Sequence, residues 1–275
     1  MKVLVLGGSG MAGHMITQYF RKCSKHTVFS ASRKVTNMGD IELDVRNQGN
    51  LEKVIDTLIP DVIINCVGLL NENASQNPLD ALLVNSILPH TLTKLMNRHG
   101  GRLIHISTDC VFSGEKGNYE ENDPTDGETV YAKTKSLGEI IDPKHLTIRT
   151  SIVGPEIREN GIGLLHWFMQ QSGEIKGYTN VFWNGVTTLE LAKVIDQMIE
   201  QNIFGLYHLS APQKISKYEL LKFFKEVFDK QDVMIIPYET VMSDKTLKNT
   251  RKDFQYQVPG YKQMLVELRD WLDQQ

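Results

Sequence analysis

The segment "KVLVLGGSGMAG", residues 2–13, runs an apolar stretch straight into a cluster of glycines and leaves little choice of fold. A strand that is apolar nearly throughout suits a parallel sheet covered by helices on both faces. The pattern recurs: "TVFSAS", "DVIINCVG", "RLIHIS", "LTIRTSIVG" and "GLYHLS" read as strands, while "MAGHMITQYFRK", "LEKVIDTLI", "ALLVNSILPHTLTKLMNRH" and "YAKTKSLGEII" read as helices between them. Such alternation builds right-handed βαβ units, so the expected class is α/β, a doubly wound parallel sheet. After about residue 155 the alternation loosens. "TLELAKVIDQMIEQ", "SKYELLKFFKEVF" and "YKQMLVELRDWL" keep helical patterns, whereas "NGVTT" and "IPYETVMSDKTLKN" read as loops or short pieces.

Composition narrows the partners. The 275 residues are 41% hydrophobic and 23% charged with a net charge of -3, which suits a soluble globular chain and leaves no basic field for nucleic acid or an anionic membrane. Cys23, Cys66 and Cys110 are odd in number and lack a CxxC spacing. That argues against a disulfide framework or structural zinc, and no histidine pattern suggests another metal. The first apolar run is too short for a signal or membrane segment, so a cytoplasmic protein is expected.

Gly7, Gly8, Gly10 and Gly13 satisfy both GxGxxG and GxxGxxG spacings between a strand and a helix. Glycines there give a tight turn and let backbone approach a pyrophosphate at the positive helix end. A NAD site usually carries a carboxylate at the end of the second strand. Here "SASRK" supplies Ser32, Arg33 and Lys34 instead, so NADP(H) is the expected cofactor, with NAD(H) possible and Arg33 as a plain surface charge the bland alternative. Asp44 could accept a bond from adenine, or act as a turn or capping aspartate. The expected organisation is a dinucleotide-binding Rossmann domain over 1–155 and a smaller, mostly helical substrate lobe over 156–275. Chain at about 180–210 should return to the first domain, and Asn180–Thr188 and Pro237–Asn249 are the expected crossings.

Tyr131 and Lys135 in "YAKTK" stand four apart, on one face of a helix. A tyrosine needs a nearby cation to act near neutral pH, and Lys135 supplies one while its head could grip a ribose hydroxyl. "STDC" puts Ser107 and Thr108 just after a strand, at the carboxyl edge where open α/β sheets bind ligands. A hydroxyl there can polarise a carbonyl as hydride arrives; the alternative for Thr108 is a structural turn.

"GGSGMAG", "STDCVFSG", "YAKTK" and "IRTSIVG" occur in the order and near the spacings of the extended short-chain dehydrogenase/reductases. The chain most resembles their dTDP-4-dehydrorhamnose reductase branch, nearly over its full length. The resemblance implies a catalytic set of Thr108, Tyr131 and Lys135. It implies reduction of a nucleotide-linked 4-keto-6-deoxy sugar by NAD(P)H, serving glycan precursor synthesis, in a monomer or homodimer. It also implies cofactor contacts from Gly7, Ser9, Gly10, Met11, Gly13, Ser32, Arg33, Asp44, Val45, Cys66, Val67, Gly68, Asn85, Ser107, Ser151 and Ile152. Substrate contacts would come from Thr108, Asp109, Cys110, Trp167, Trp183 and Asn184.

Cys110 stands where the family commonly has tyrosine, and Ile152 follows "RTS" where an aromatic is frequent. Losing two large rings suggests a differently shaped sugar, one with an acetamido group for instance. Asn85 could support the lysine through water or simply face solvent or cap a helix, and Pro89 should kink or restart that helix. Trp167, Phe168, Phe182 and Trp183 could stack on a base or form core. The acidic run "YEENDPTDGE" reads as a solvated lid rather than a glycosidase-like carboxylate pair. The competing functions are an epimerase or dehydratase on the same scaffold, or a noncatalytic NADP-binding regulatory subunit. "TDC" has Asp109 but no following glutamate, which counts against a dehydratase.

Overall fold

A computed structural model describes residues 1–35, 39–157 and 161–275. The strands are β1 (Lys2–Leu6), β2 (Thr27–Ser32), β3 (Ile41–Glu42), β4 (Val62–Asn65), β5 (Arg102–Ile106), β6 (Leu146–Arg149), β7 (Ile152–Val153), β8 (Gly173–Tyr178), β9 (Val181–Trp183), β10 (Val186–Thr187), β11 (Gly205–His208), β12 (Ile215–Ser216), β13 (Val233–Tyr238) and β14 (Ser243–Asp244). The helices are α1 (Met11–Cys23), α2 (Gln48–Leu58), α3 (Asn71–Gln76), α4 (Pro78–Ala81), α5 (Leu88–His99), α6 (Val130–Leu137), α7 (Leu164–Met169), α8 (Thr188–Glu200), α9 (Lys217–Val227) and α10 (Tyr261–Leu272). Seven strands form one sheet in the order β11-β6-β5-β4-β1-β2-β3, and every pair is parallel. Strand order reverses between β1 and β4, which opens a crevice at their carboxyl ends.

The period of two along β1 sorts its side chains. Val3 and Val5 join Met15, Ile16 and Phe20 of α1 and Leu191, Ile195 and Met198 of α8. Leu4 and Leu6 point the other way, to Leu51 and Ile55 of α2 and Leu92, Leu95 and Met96 of α5. Each of these fully buried side chains contributes about 1.5–3 kcal/mol relative to exposure. Thus α8 and β11, though late in the chain, complete the first layer system.

Helix ends follow from local chemistry. Asn47 caps α2 through the Asn50 N–H, and the helix stops at Ile59, left-handed just before Pro60. Thr129 caps α6 through the Ala132 N–H, which fixes where Tyr131 and Lys135 begin their turn. Before α5, residues Leu82–Ile87 form a π-helical turn. Pro89 has no N–H for the Asn85 carbonyl four residues back, so the wider turn relieves both the missing bond and the ring clash. The kink expected at Pro89 therefore takes the form of a π turn in a continuous helical run. The freed Asn85 carbonyl lies against Gly138, where an added Cβ would sit 1.9 Å from it.

The C-terminal region holds α7, α9 and α10 and two small sheets that the sequence did not reveal. β8 pairs in parallel with β13, and β9 lies between β12 and β14. "IPYETVMSDKTLKN" is thus partly strand. Its signal is weak because β13 is fully buried only at Val233 and β8 turns only Ile175 and Gly177 inward. The acidic run is exposed at Asn122, Pro124, Thr125, Asp126 and Glu128, but it is anchored: Glu121 is buried, accepting from the His208 N–H and from the Thr250 N–H and hydroxyl, while Asp126 holds the Ser113 N–H and hydroxyl. Among the described residues no helix is long and apolar enough to cross a membrane.

Gly138→Ala should destabilise the fold by about 1–3 kcal/mol through overpacking against Asn85. A denaturant titration reads this as a lower midpoint, and an unchanged midpoint would mean that α6 can move off the π turn.

Candidate active site

The first feature at the crevice is the glycine turn. Gly7 has φ +85 and sits where a Cβ would meet the Cys66 carbonyl carbon at 3.1 Å; at Gly13 a Cβ would fall 2.2 Å from the Gly7 carbonyl oxygen. These two glycines serve the turn and its packing on β4. Gly10 differs, for its Cβ would meet only the Gly7 oxygen, at 3.3 Å, and it begins α1 with no side-chain cap. The positive end of α1 carries no side-chain cap, with Ser9 and Met11 half-buried beside it.

Around this turn the expected contacts divide. Ser32 donates to the Lys34 carbonyl at 2.6 Å and closes the turn after β2, leaving Arg33 exposed. Asp44 is engaged by Arg46, through Nε at 3.1 Å and the backbone N–H at 3.0 Å, and this hydrogen bonding holds its carboxyl below the usual range. It is a turn aspartate in this structure. Cys66, Val67 and Gly68 follow β4 beside the glycine turn, Val45 packs at the edge of the second core layer, and burial pushes the Cys66 thiol up to about 12.

β5 delivers Ser107 and Thr108 to the same edge. The Ser107 hydroxyl turns inward and donates to Glu139 Oε1 at 2.7 Å. Thr108 caps the short turn Asp109–Val111: its oxygen accepts from the Cys110 N–H at 3.1 Å, and its hydroxyl meets Asp109 Oδ1 at 3.1 Å. The Tyr131 hydroxyl lies near enough to Thr108 for that residue to oppose part of the rise in its pKa. Burial first, then Cys110 and Asp109, raise the Tyr131 pKa well above its ordinary value, so the group is firmly a phenol.

Lys135 differs from the expectation that it would tune Tyr131. Its Nζ donates to the Ile106 carbonyl at 2.7 Å and lies 3.2 Å from His105 Nε2, inside the layer between α6 and the sheet. Burial lowers its pKa to about 8. Asn85 is also internal: its amide accepts from the Leu69 N–H at 2.8 Å and donates to the Leu69 carbonyl and the Thr134 hydroxyl. It ties the segment after β4 to α6 and touches Lys135 with none of these bonds.

On the opposite side, Trp183 is buried with Nε1–H donating to the Ser151 hydroxyl at 2.9 Å, and Ile152 begins β7 next to it. Both amide atoms of Asn184 bond the Leu247 backbone, whereas Trp167 is 37% exposed on α7 and Phe168 is core. The sequence reading missed Lys217. Its ammonium lies over the Trp183 ring, 5.2 Å from the centroid, close enough to Asp109 and Cys110 to feel their charge, and burial lowers its pKa to about 8. Its signal was slight, a single lysine just after the Ser216 cap of α9. Hydroxyls, a phenol and a half-hidden cation thus gather around the Thr108–Cys110 turn, at the sheet edge where α1 also begins, an arrangement able to bind anionic groups and to protonate an oxygen.

Comparison with known proteins follows the same lines. The family described as RmlD substrate binding domain matches residues 1–255. A dTDP-4-dehydrorhamnose reductase of Aggregatibacter actinomycetemcomitans is 28% identical over 231 residues, covering 79% of this chain and 76% of that one. Methionine adenosyltransferase 2 subunit beta of Danio rerio is 24% identical over 250 residues, covering 86% and 76%. The crystal structure of dTDP-4-dehydrorhamnose reductase from Bacillus anthracis in complex with NADP superposes with a TM-score of 0.84 at 20% identity, over 98% of this chain and 99% of that one.

Asp109 yields a pH prediction. Burial raises its carboxyl above the ordinary 3.8, outweighing the opposing pull of Lys217 and Lys245. A raised acid stabilises the fold most below its unfolded value, and that contribution is lost as pH rises through the folded value. Relative to Asp109→Asn, wild-type stability should therefore fall as pH climbs from about 4 toward neutrality. Denaturant midpoints across that range test it, and a difference independent of pH would refute the raised carboxyl.

Proposed function

The chain belongs to the RmlD substrate binding domain family, and on that premise we propose that it is an NADP(H)-preferring reductase of a nucleotide-linked 4-keto-6-deoxy sugar. The observation that carries the reading is the Thr108 and Tyr131 hydroxyl pair at the carboxyl end of β5. It stands at the same sheet edge as the uncapped start of α1. A bound nicotinamide cofactor supplies hydride, and the Gly7–Gly13 turn, the first turn of α1 and Arg33 are the groups that would hold it. Arg33 and the lack of a carboxylate at the end of β2 support NADP(H) over NAD(H).

The chain's own residues then handle oxygen and proton. Thr108 offers a hydroxyl to the ketone oxygen, countering the negative charge that grows there. Tyr131 is kept protonated by burial until an oxygen more basic than a ketone appears beside it, which suits a donor more than a base. Lys217, with three donors and no hydrogen bond that fixes it among the described contacts, suits an acceptor-rich substrate group near Cys110. The small Cys110 side chain supports a sugar bulkier at that edge than the rhamnose precursor.

NADPH oxidation with dTDP-, UDP-, GDP- and CDP-linked 4-keto-6-deoxy sugars tests the reading. Turnover on one member should fall by about 10²–10⁴ in Tyr131→Phe. Cofactor binding without turnover on any member would instead favour a noncatalytic cofactor-binding protein. On the accepted sugar, Lys217→Met should raise KM about tenfold or more with a smaller change in kcat, as expected for a charged hydrogen bond to bound substrate. An unchanged KM would remove Lys217 from substrate binding.

A further inference from the structure

Lys135 sits at the end of a hydrogen-bond chain whose direction is dictated from its other end. The Val67 backbone N–H, which can only donate, meets Asn65 Oδ1 at 3.2 Å. That contact fixes the amide orientation, so Asn65 Nδ2 faces His105 Nδ1, 3.1 Å away, as a donor. Parallel pairing of β4 with β5 puts Asn65 and His105 side by side, and both are 0% exposed. His105 Nδ1 must therefore accept, and the ring proton resides on Nε2. Nε2 faces Lys135 Nζ at 3.2 Å, while Nζ itself donates to the Ile106 carbonyl. An ammonium has three protons and no lone pair, so it would oppose this N–H; a neutral amine accepts it.

We propose that Asn65 and His105 are positioning residues for Lys135: Asn65 fixes the Nε2–H tautomer of His105, and that N–H holds the lysine as a neutral amine by its lone pair. Of the groups facing Lys135, His105 comes from β5, Cys66 from the end of β4 and Glu139 from the turn after α6; Glu139 and Cys66 favour the ammonium, but burial outweighs them and Glu139 is paired with Arg149, while His90 of α5 lies near His105. Burial keeps the His105 pKa well below its ordinary value and lowers that of Lys135. In the form described here the lysine of the YxxxK pair accepts from His105, gives one N–H to the Ile106 carbonyl and keeps a second N–H to offer a hydroxyl.

The inference goes beyond the reductase reading and rests on it only for its effect on turnover. Its test uses the full chain with nothing bound. In histidine labelled with 15N, the His105 signals, identified by their loss in His105→Gln, should show a protonated Nε2 and a bare Nδ1 above about pH 8, where the Lys135 amine is neutral. A protonated Nδ1 would overturn the proposal, and this measurement needs no variant that might misfold except to assign the signal.

Asn65→Asp provides the second arm, since a carboxylate still accepts from the Val67 N–H but now also accepts from Nδ1. The tautomer should reverse, and the Lys135 titration, read from 13Cε-labelled lysine, should rise by about one pH unit or more. A rise without tautomer reversal would reflect the added charge alone and overturn the proposal, as would no rise. Where turnover is found, the alkaline limb of the kcat profile should move the same way. Absence of turnover would count against the reductase reading while leaving both resonance measurements decisive for the chain.

Discussion

The buried Arg149–Glu139 ion pair is the interaction around which the crevice is organised. Arg149 gives Nε to Oε1 at 2.8 Å and NH2 to Oε2 at 2.7 Å, with both side chains about 5% exposed or less. Its remaining NH1 reaches the Glu121 carbonyl and His208, its guanidinium lies over Phe112, and Glu139 also receives the Ser107 hydroxyl. One pair therefore joins the ends of β5, β6 and β11, the turn after α6 and the loop before it. All of these flank Thr108. A bidentate pair with four of the five guanidinium donors engaged offsets much of its desolvation cost, whereas removing one partner would strand a buried charge at about 3–5 kcal/mol. Its value is geometric as much as energetic, because hydrophobic packing alone would let five segments slide.

A second polar layer lies between the sheet and α6. Asn85 and Ser86 bond Thr134, Asn65 bonds His105, and His105 meets Lys135. α6 is only eight residues long, too short to be held by its own propensity. Its position depends on these directional bonds and on the close approach that Gly138 permits to the π turn. Buried polar networks of this kind are costly when incomplete and specific when complete. That is why a helix bearing Tyr131 and Lys135 can be short and still be precisely placed.

The parts of the fold governed by strong local periodicity were legible in the sequence. β1, β4 and β5 are apolar enough, and α1, α5 and α8 amphipathic enough, for strand and helix to be distinguished without tertiary information. β8 and β13 were not legible, because strands with one thinly buried face look like loops that contain a few apolar residues. The glycine turn was legible because Gly7 and Gly13 answer to backbone geometry, which a residue type can signal. Asp44 and Asn184 were harder. An Asp or Asn suits a ligand and a backbone turn equally, and only the positions of Arg46 and Leu247 show which bonds they make.

Lys135 marks the limit of spacing as an argument. Four residues on a helix guarantee a shared face with Tyr131, yet the two polar ends diverge: the phenol lies near Thr108 and the long lysine stem curls to Ile106 and His105. The i to i+4 rule fixes Cβ positions, and a side chain with four rotatable bonds chooses its own destination among buried acceptors. Here the choice is made by strand register, since Asn65 and His105 are neighbours only because β4 and β5 pair as they do. The chemistry of the lysine is thus set by residues forty and more positions apart from one another in the chain, none of which belongs to the helix that carries it.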